Sequence, residues 1–233
     1  MNDLNDFIKK WDDVYCAQHV YNLVNNITSL FLRNKINEIS YLDIGANVGK
    51  VYDLLSKKIK INEAYFIEAS PILFNYLKQK YSENKNLFLF NNAAFNKNDT
   101  IHFDQTSMLY QFQHNLKENL NLGLSRINYS ENSVPVQAIS LSNFLIENNL
   151  FDKLSFIKID TESVDFLILE DILNVISKFI NKPVIEFEVN YSNCNMTDNT
   201  AQLILDNYHS NGYHHLKISN CHGDGLLVPS SLI

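Results

Sequence analysis

At 233 residues the chain is long enough for a domain whose sheet is covered on both faces, and its 45% hydrophobic fraction is that of an ordinary globular protein. A formal charge of −7, from 19 basic and 26 acidic side chains, with Arg33 and Arg126 the only arginines, disfavours a nucleic-acid partner. No uninterrupted apolar run approaches ~18 residues, which argues against a membrane span, and Cys16, Cys194 and Cys221 lack metal or disulfide spacing.

The opening MNDLNDFIKKW has neither the basic start nor the apolar stretch of a secretion signal, so the cytoplasm is the expected compartment. A long helical pattern follows. Phe7, Ile8, Trp11, Val14 and Tyr15, then Val20, Leu23, Val24, Ile27, Leu30 and Phe31, recur at three- and four-residue intervals. Residues 1–38 therefore read as an N-terminal helical extension packed against a sheet; a homodimer surface or an active-site cover is the alternative.

Strand-like runs then occupy residues 40–44, 64–68, 87–91, 154–160, 184–189, 214–219 and 225–228, with helices beginning near Val48, Pro71, Leu141, Ser163 and Asn199. Pro71 stands just inside its helix, where the missing N–H costs nothing, and Pro183 precedes a strand. This alternation predicts an α/β fold: a Rossmann-like, doubly wound, mainly parallel seven-stranded sheet with right-handed crossovers. The last two strands, separated by Asn220-Cys221-His222-Gly223-Asp224, read as a hairpin, so one strand near the C-terminus should be antiparallel. No repeat or linker divides residues 1–233, which read as a single domain. Residues 104–133 break the rhythm: they are polar and aromatic, and read as an insert that is either surface or a substrate lid.

Tyr41-Leu42-Asp43-Ile44-Gly45-Ala46-Asn47-Val48-Gly49 is an apolar strand running into a glycine turn, and Tyr65-Phe66-Ile67-Glu68 is a second strand ending in a lone carboxylate. The pair predicts a nucleoside pocket at the carboxyl edge of a parallel sheet. The glycine pattern of a dinucleotide site, G-x-G-x-x-G, is not met, because Asn47 and Lys50 stand at its second and third glycines. The pattern G-x-N-x-G suits S-adenosylmethionine better, since that ligand has no pyrophosphate. Asp43 can accept from its ammonium, directly or through water, and Glu68 can accept both ribose hydroxyls.

Asp43-Ile44-Gly45-Ala46-Asn47-Val48-Gly49 resembles the first motif of the FkbM-type methyltransferases, a family of class I S-adenosylmethionine-dependent enzymes. Glu68-Ala69-Ser70-Pro71 resembles its second motif, Asn92-Ala93-Ala94 its third, and the block from Phe156 to Asp165 its K-I-D-V-E-G-x-E run. The resemblance spans roughly Tyr41 to Val228. It implies a cofactor site of Asp43, Gly45, Ala46, Asn47, Gly49, Glu68, Ala69, Asn92, Ala93 and Asp160, with Asn92 and Ala93 near the adenine. Ser163 and Asp165 depart from the family's glycine and glutamate.

Methyl transfer to a hydroxyl is helped by a nearby proton acceptor, and carboxylates at strand ends are the natural candidates. These are Asp160, Glu162 and Glu188; for Glu162 capping and chemistry weigh equally, and Glu188 is favoured over Glu186 because it lies nearer the carboxyl end. Asp160, Glu188 and Asn190 could instead hold Mg²⁺, a variant weighed but not favoured. His102, His114 and His222 are further base candidates, whereas the pair His214-His215 reads as structural because neighbours on a strand face opposite ways. The expected activity is methyl transfer to a hydroxyl of a small-molecule or glycan acceptor such as a sugar. Alternatives are an N-methyltransferase, a cofactor-binding module without turnover and, last, a nicotinamide-dependent dehydrogenase.

Overall fold

A computed structural model describes residues 2–14, 18–104, 126–127, 133–161, 164–189, 197–217 and 224–233. Two helices, α1 (Asn2–Val14) and α2 (Gln18–Arg33), precede the first strand, β1 (Glu38–Ile44). On α2, Val20, Leu23, Val24, Ile27 and Phe31 are all buried, which fits the apolar stripe in the sequence. Each such side chain contributes roughly 1.5–3 kcal/mol by leaving water. Among the α1 positions, Ile8 is buried and Phe7 partly so; the side chains of Trp11 and Val14, and all of Tyr15, lie outside the described residues.

From β1 the chain alternates through α3 (Lys50–Leu55), β2 (Lys60–Ile67), α4 (Pro71–Lys80) and β3 (Leu87–Phe90). Ser70 caps α4 by accepting from Leu73 N, and Pro71 fills the first position, as expected. The helix expected from Val48 opens only at Lys50, because Gly49 adopts φ +77° and interrupts the helical path. Four strands follow that the sequence pattern did not reveal: β4 (Ala93–Phe95), β5 (Asp99–Asp104), the short β6 (Arg126–Ile127) and β7 (Ser133–Ser140). The second half then comprises α5 (Leu141–Glu147), β8 (Phe156–Ile159), α6 (Asp165–Leu173), β9 (Val184–Glu188), α7 (Asp198–Ser210), β10 (Tyr213–Lys217) and β11 (Asp224–Pro229). The helix expected from Ser163 begins at Asp165; residues 162 and 163 lie outside the described set.

The main sheet has the order β10-β11-β9-β8-β1-β2-β3. Strands β3, β2, β1, β8 and β9 pair in parallel, while β11 runs antiparallel to both β9 and β10. The fold is therefore the expected Rossmann-like one, with its reversed strand near the C-terminus. One face packs against α2 and α3 through Tyr41, Phe66, Phe156 and Val184. The other packs against α5, α6 and α7 through Leu42, Ile44, Ile157, Ile159 and Phe187. A second sheet, β4-β7-β5-β6, closes over its own small cluster of Ala93, Ile101, Phe103, Val136 and Ala138. It brings the two ends of the 104–133 segment together, since Asp104 pairs with Ser133. The lid expectation falls on residues 105–125 and 128–132, outside the described residues, as do Cys16, Cys194, Cys221, His114 and His222.

Candidate active site

Strand β1 delivers the chain into a turn made of three left-handed residues: Gly45 at φ +75°, Asn47 at φ +52° and Gly49 at φ +77°. Asparagine is among the few side chains that tolerate this region, which accounts for Asn47 inside the glycine pattern. Gly45 is needed for space as well: a Cβ there would lie 1.9 Å from the carbonyl oxygen of Asp160. The turn is fixed by Gly45 N and Ala46 N donating to Ile67 O, and by Gly49 N donating to Ala46 O at 2.8 Å.

Glu68, just past β2, ties this turn to the next one. Its Oε2 accepts from Asn47 N and its Oε1 from Ser70 N, each at 2.8 Å, while Asn91 Nδ2 donates to the Glu68 carbonyl at 2.9 Å. Burial pushes the Glu68 carboxyl up to about 7 against the pull of those two backbone donors. A carboxylate offers about four acceptor positions, and these N–H groups use two. Beside it, the Oδ1 of Asn47 is buried with no hydrogen-bond partner among the described residues. A strained turn, a half-satisfied carboxylate and an orphaned amide oxygen in one place fit a polar ligand rich in hydroxyl and amino groups.

Beneath the turn, Asp43, Lys158 and Glu186 stand side by side on adjacent strands β1, β8 and β9. Asp43 is only 1% exposed; it accepts a short hydrogen bond from Tyr41 Oη and pairs with Lys158 Nζ at 3.3 Å. The same ammonium lies 3.2 Å from Asp160 and 3.4 Å from the Gly45 carbonyl oxygen. Burial alone would lower the Lys158 pKa, but the carboxylates of Asp160, Asp43 and Glu186 outweigh it and hold the lysine charged well above its ordinary range. Asp160, unlike Asp43, opens to solvent, with 45% of its side chain exposed.

The ends of β8 and β9 are joined by Asp165. Its Oδ1 accepts from Thr161 N at 3.0 Å and from the Thr161 hydroxyl, and its Oδ2 from Glu188 N at 3.0 Å. Burial, reinforced by Asp160, pushes Asp165 up to about 7. Glu188 is half-buried at the end of β9, in register with Asp224. Ala69, next to Glu68, and Asn92 are half-buried, Asn92 donating to Gln137 O at 3.2 Å, and Ala93 opens β4. Glu162 and Asn190 lie outside the described residues. His102 sits on the second sheet with Nδ1 3.2 Å from Ser133 Oγ, and His215 packs beside Phe187 on β10. Among the described residues, no group of three or more His, Cys, Asp and Glu side chains could hold a metal ion.

The family model for the methyltransferase FkbM domain matches residues 43–214. This chain belongs to the FkbM methyltransferase family. The FkbM methyltransferase of Methylobacillus flagellatus KT is similar in fold, at TM-score 0.51 and 15% identity, covering 95% of this chain. The present chain spans only 57% of the length of that protein. SAH-bound PaMTH1 of Podospora anserina matches at TM-score 0.47 and 10% identity, covering 98% of this chain and 88% of that one. A putative caffeoyl-CoA O-methyltransferase of Staphylococcus aureus matches at TM-score 0.46 and 10% identity, over 89% of this chain and 82% of that one. No curated protein sequence matches the chain.

Within this FkbM domain, three groups at the site were not singled out by sequence reasoning: Lys158, Asn91 and the tethering role of Asp165. Lys158 had a readable signal. It interrupts the apolar run Phe156-Ile157-Lys158-Ile159 in a strand buried on both faces, where a charge needs partners. Asn91 and the Asp165–Glu188 tie had none, because the partners lie 22–23 residues apart and only the fold brings them close.

Proposed function

We propose that this chain is an S-adenosylmethionine-dependent methyltransferase whose acceptor is a hydroxyl of a sugar or glycan precursor. The observation that carries the cofactor half is Glu68, held by one backbone donor from each of the two turns and left with acceptor capacity for a ribose diol. Gly45, Ala46, Asn47 and Gly49 form the wall against which the methionine end lies, with Asn47 Oδ1 an acceptor for it. Ala69, Asn92 and Ala93 line the adenine side.

Asp160 is the group that meets the ammonium, since it is exposed and oriented by Lys158. Asp43 acts one layer down, through Lys158, because its own carboxylate is enclosed. When bound, the cofactor supplies an electrophilic methyl group. Transfer to a hydroxyl frees one proton, and Glu188, anchored at its backbone by Asp165, takes that proton, with Glu162 as the alternative acceptor. The hydroxyl preference is supported by family likeness and by the acidic strand ends.

Isothermal calorimetry tests the cofactor half. The wild type should bind S-adenosylhomocysteine, and Glu68→Ala should weaken binding at least about tenfold, the loss of one charge-assisted contact. Equal affinity in the two proteins would reject the pocket. Mass spectrometry with a panel of sugars, polyols and amines tests the acceptor half. Methylation confined to amines would replace the hydroxyl reading with N-transfer.

A further inference from the structure

The polar cluster on the outer side of the cofactor turn is not used by any of the chemistry above. Asp12, on α1, is 6% exposed and far in sequence from its partners. Its Oδ2 accepts from Lys80 Nζ at 2.6 Å and from Tyr76 Oη at 2.9 Å, and its backbone oxygen accepts from Lys50 Nζ at 2.7 Å. Lys80, the last residue of α4, also donates to the Val48 carbonyl and to Asp53 Oδ2, each at 2.7 Å. An ammonium has three donors, and all three are used. One of them grips the turn itself.

Apolar contacts follow the same path. Ile8, wholly buried, packs with Val48 of the turn and with Leu73 and Tyr76 of α4, while Leu4, Phe7 and Ile72 pack around them. Helix α1 therefore touches both walls of the pocket: the turn after β1 and the helix start that follows Glu68. Removing the charge of Asp12 leaves Lys80 with Asp53 but loosens the link between α1 and Val48.

Resting on the cofactor reading above, we infer that Asp12 and Lys80 are positioning residues for the cofactor turn, so that docking of α1 and binding of cofactor reinforce each other. Such coupling is reciprocal by linkage: a docked helix tightens the ligand, and the ligand tightens the helix. Because the pairs are largely enclosed, salt screens them little.

The test compares wild type with Asp12→Asn, Lys80→Met and Lys80→Arg, using Lys9→Ala, an exposed α1 position, as control. Calorimetry with S-adenosylhomocysteine, hydrogen exchange of the α1 amides with and without that ligand, and steady-state KM for S-adenosylmethionine are the readouts. Asp12→Asn should bind about tenfold more weakly, within the usual range of coupling, and raise KM while kcat holds. Ligand should slow α1 exchange in the wild type and much less in Asp12→Asn; Lys80→Arg should recover part of the affinity that Lys80→Met loses. If Lys80→Met does not fold, the near-isosteric Asp12→Asn still decides. A fall in Tm with affinity within twofold of wild type would assign the cluster to stability alone and overturn the inference. Absence of binding in the wild type would instead overturn the cofactor reading beneath it.

Discussion

On the proposed cofactor reading, Glu68 has two roles whose pH dependences oppose each other. Its folded pKa of about 7 lies above the ordinary value of 4.5, so the native state holds the proton more tightly than the unfolded chain. The stability linked to that proton is fully present below pH 4.5 and is lost as pH rises to 7. Binding runs the other way, because accepting two N–H groups and two hydroxyls requires the ionised form. Affinity for S-adenosylhomocysteine should therefore rise from pH 6 to pH 8, by up to about tenfold per unit below the pKa. Calorimetry at pH 6, 7 and 8 checks this, and Glu68→Gln should show a flat profile. A wild-type profile equally flat would mean that the carboxylate does not receive the diol.

At the scale of elements, the helices are set by short-range rules and tied together by long-range ones. Ser70, Ser140 and Thr197 cap α4, α5 and α7 from adjacent sequence. The start of α5 is also held from α6: Asp171 accepts from Ser140 Oγ, Ser142 N and Ser142 Oγ at 2.8–2.9 Å and is 5% exposed. Asp171→Ala should strand those buried donors and destabilise the protein by about 3 kcal/mol, whereas an exposed substitution such as Glu147→Ala should change it by less than about 0.5 kcal/mol. Urea denaturation of the two variants checks the contrast. The caps could be read from the chain; the Asp171 tie could not, because its partners are 29 and 31 residues away.

At the scale of the whole molecule, the parallel strands align their carboxyl ends, and with them Glu68, Asp160 and Glu188, along one edge. The like charges are relieved from below by Lys158, which approaches Asp43 at 3.3 Å and Asp160 at 3.2 Å. An internal ammonium thus already supplies positive charge beside Asp160, one of the acids that a divalent cation would need. Methyl transfer should accordingly keep its kcat/KM after dialysis against EDTA, measured beside the undialysed protein. Activity that vanished on chelation and returned with Mg²⁺ would reassign Asp160 and Glu188 as metal ligands.

The strand-turn-acid pattern from Tyr41 to Glu68, the seven strands of the main sheet and the reversed strand near the end were legible in the chain, because hydrophobic period, turn residues and caps act over a few positions. The second sheet was not, because β4 and β6 are only three and two residues long and β7 carries Pro135 beside a polar stretch, which weakens its strand signal. Nor was the layering of acids. Residue type marked Asp43, Asp160 and Glu68 as one set, whereas burial separates the enclosed Asp43 and Glu68 from the open Asp160. Likewise periodicity made α1 amphipathic, but only the packed structure set Asp12 against Lys80 and so against the turn. Local chemistry sets which elements form; which charges meet, and which of them face solvent, depends on distances that close only when the chain has folded.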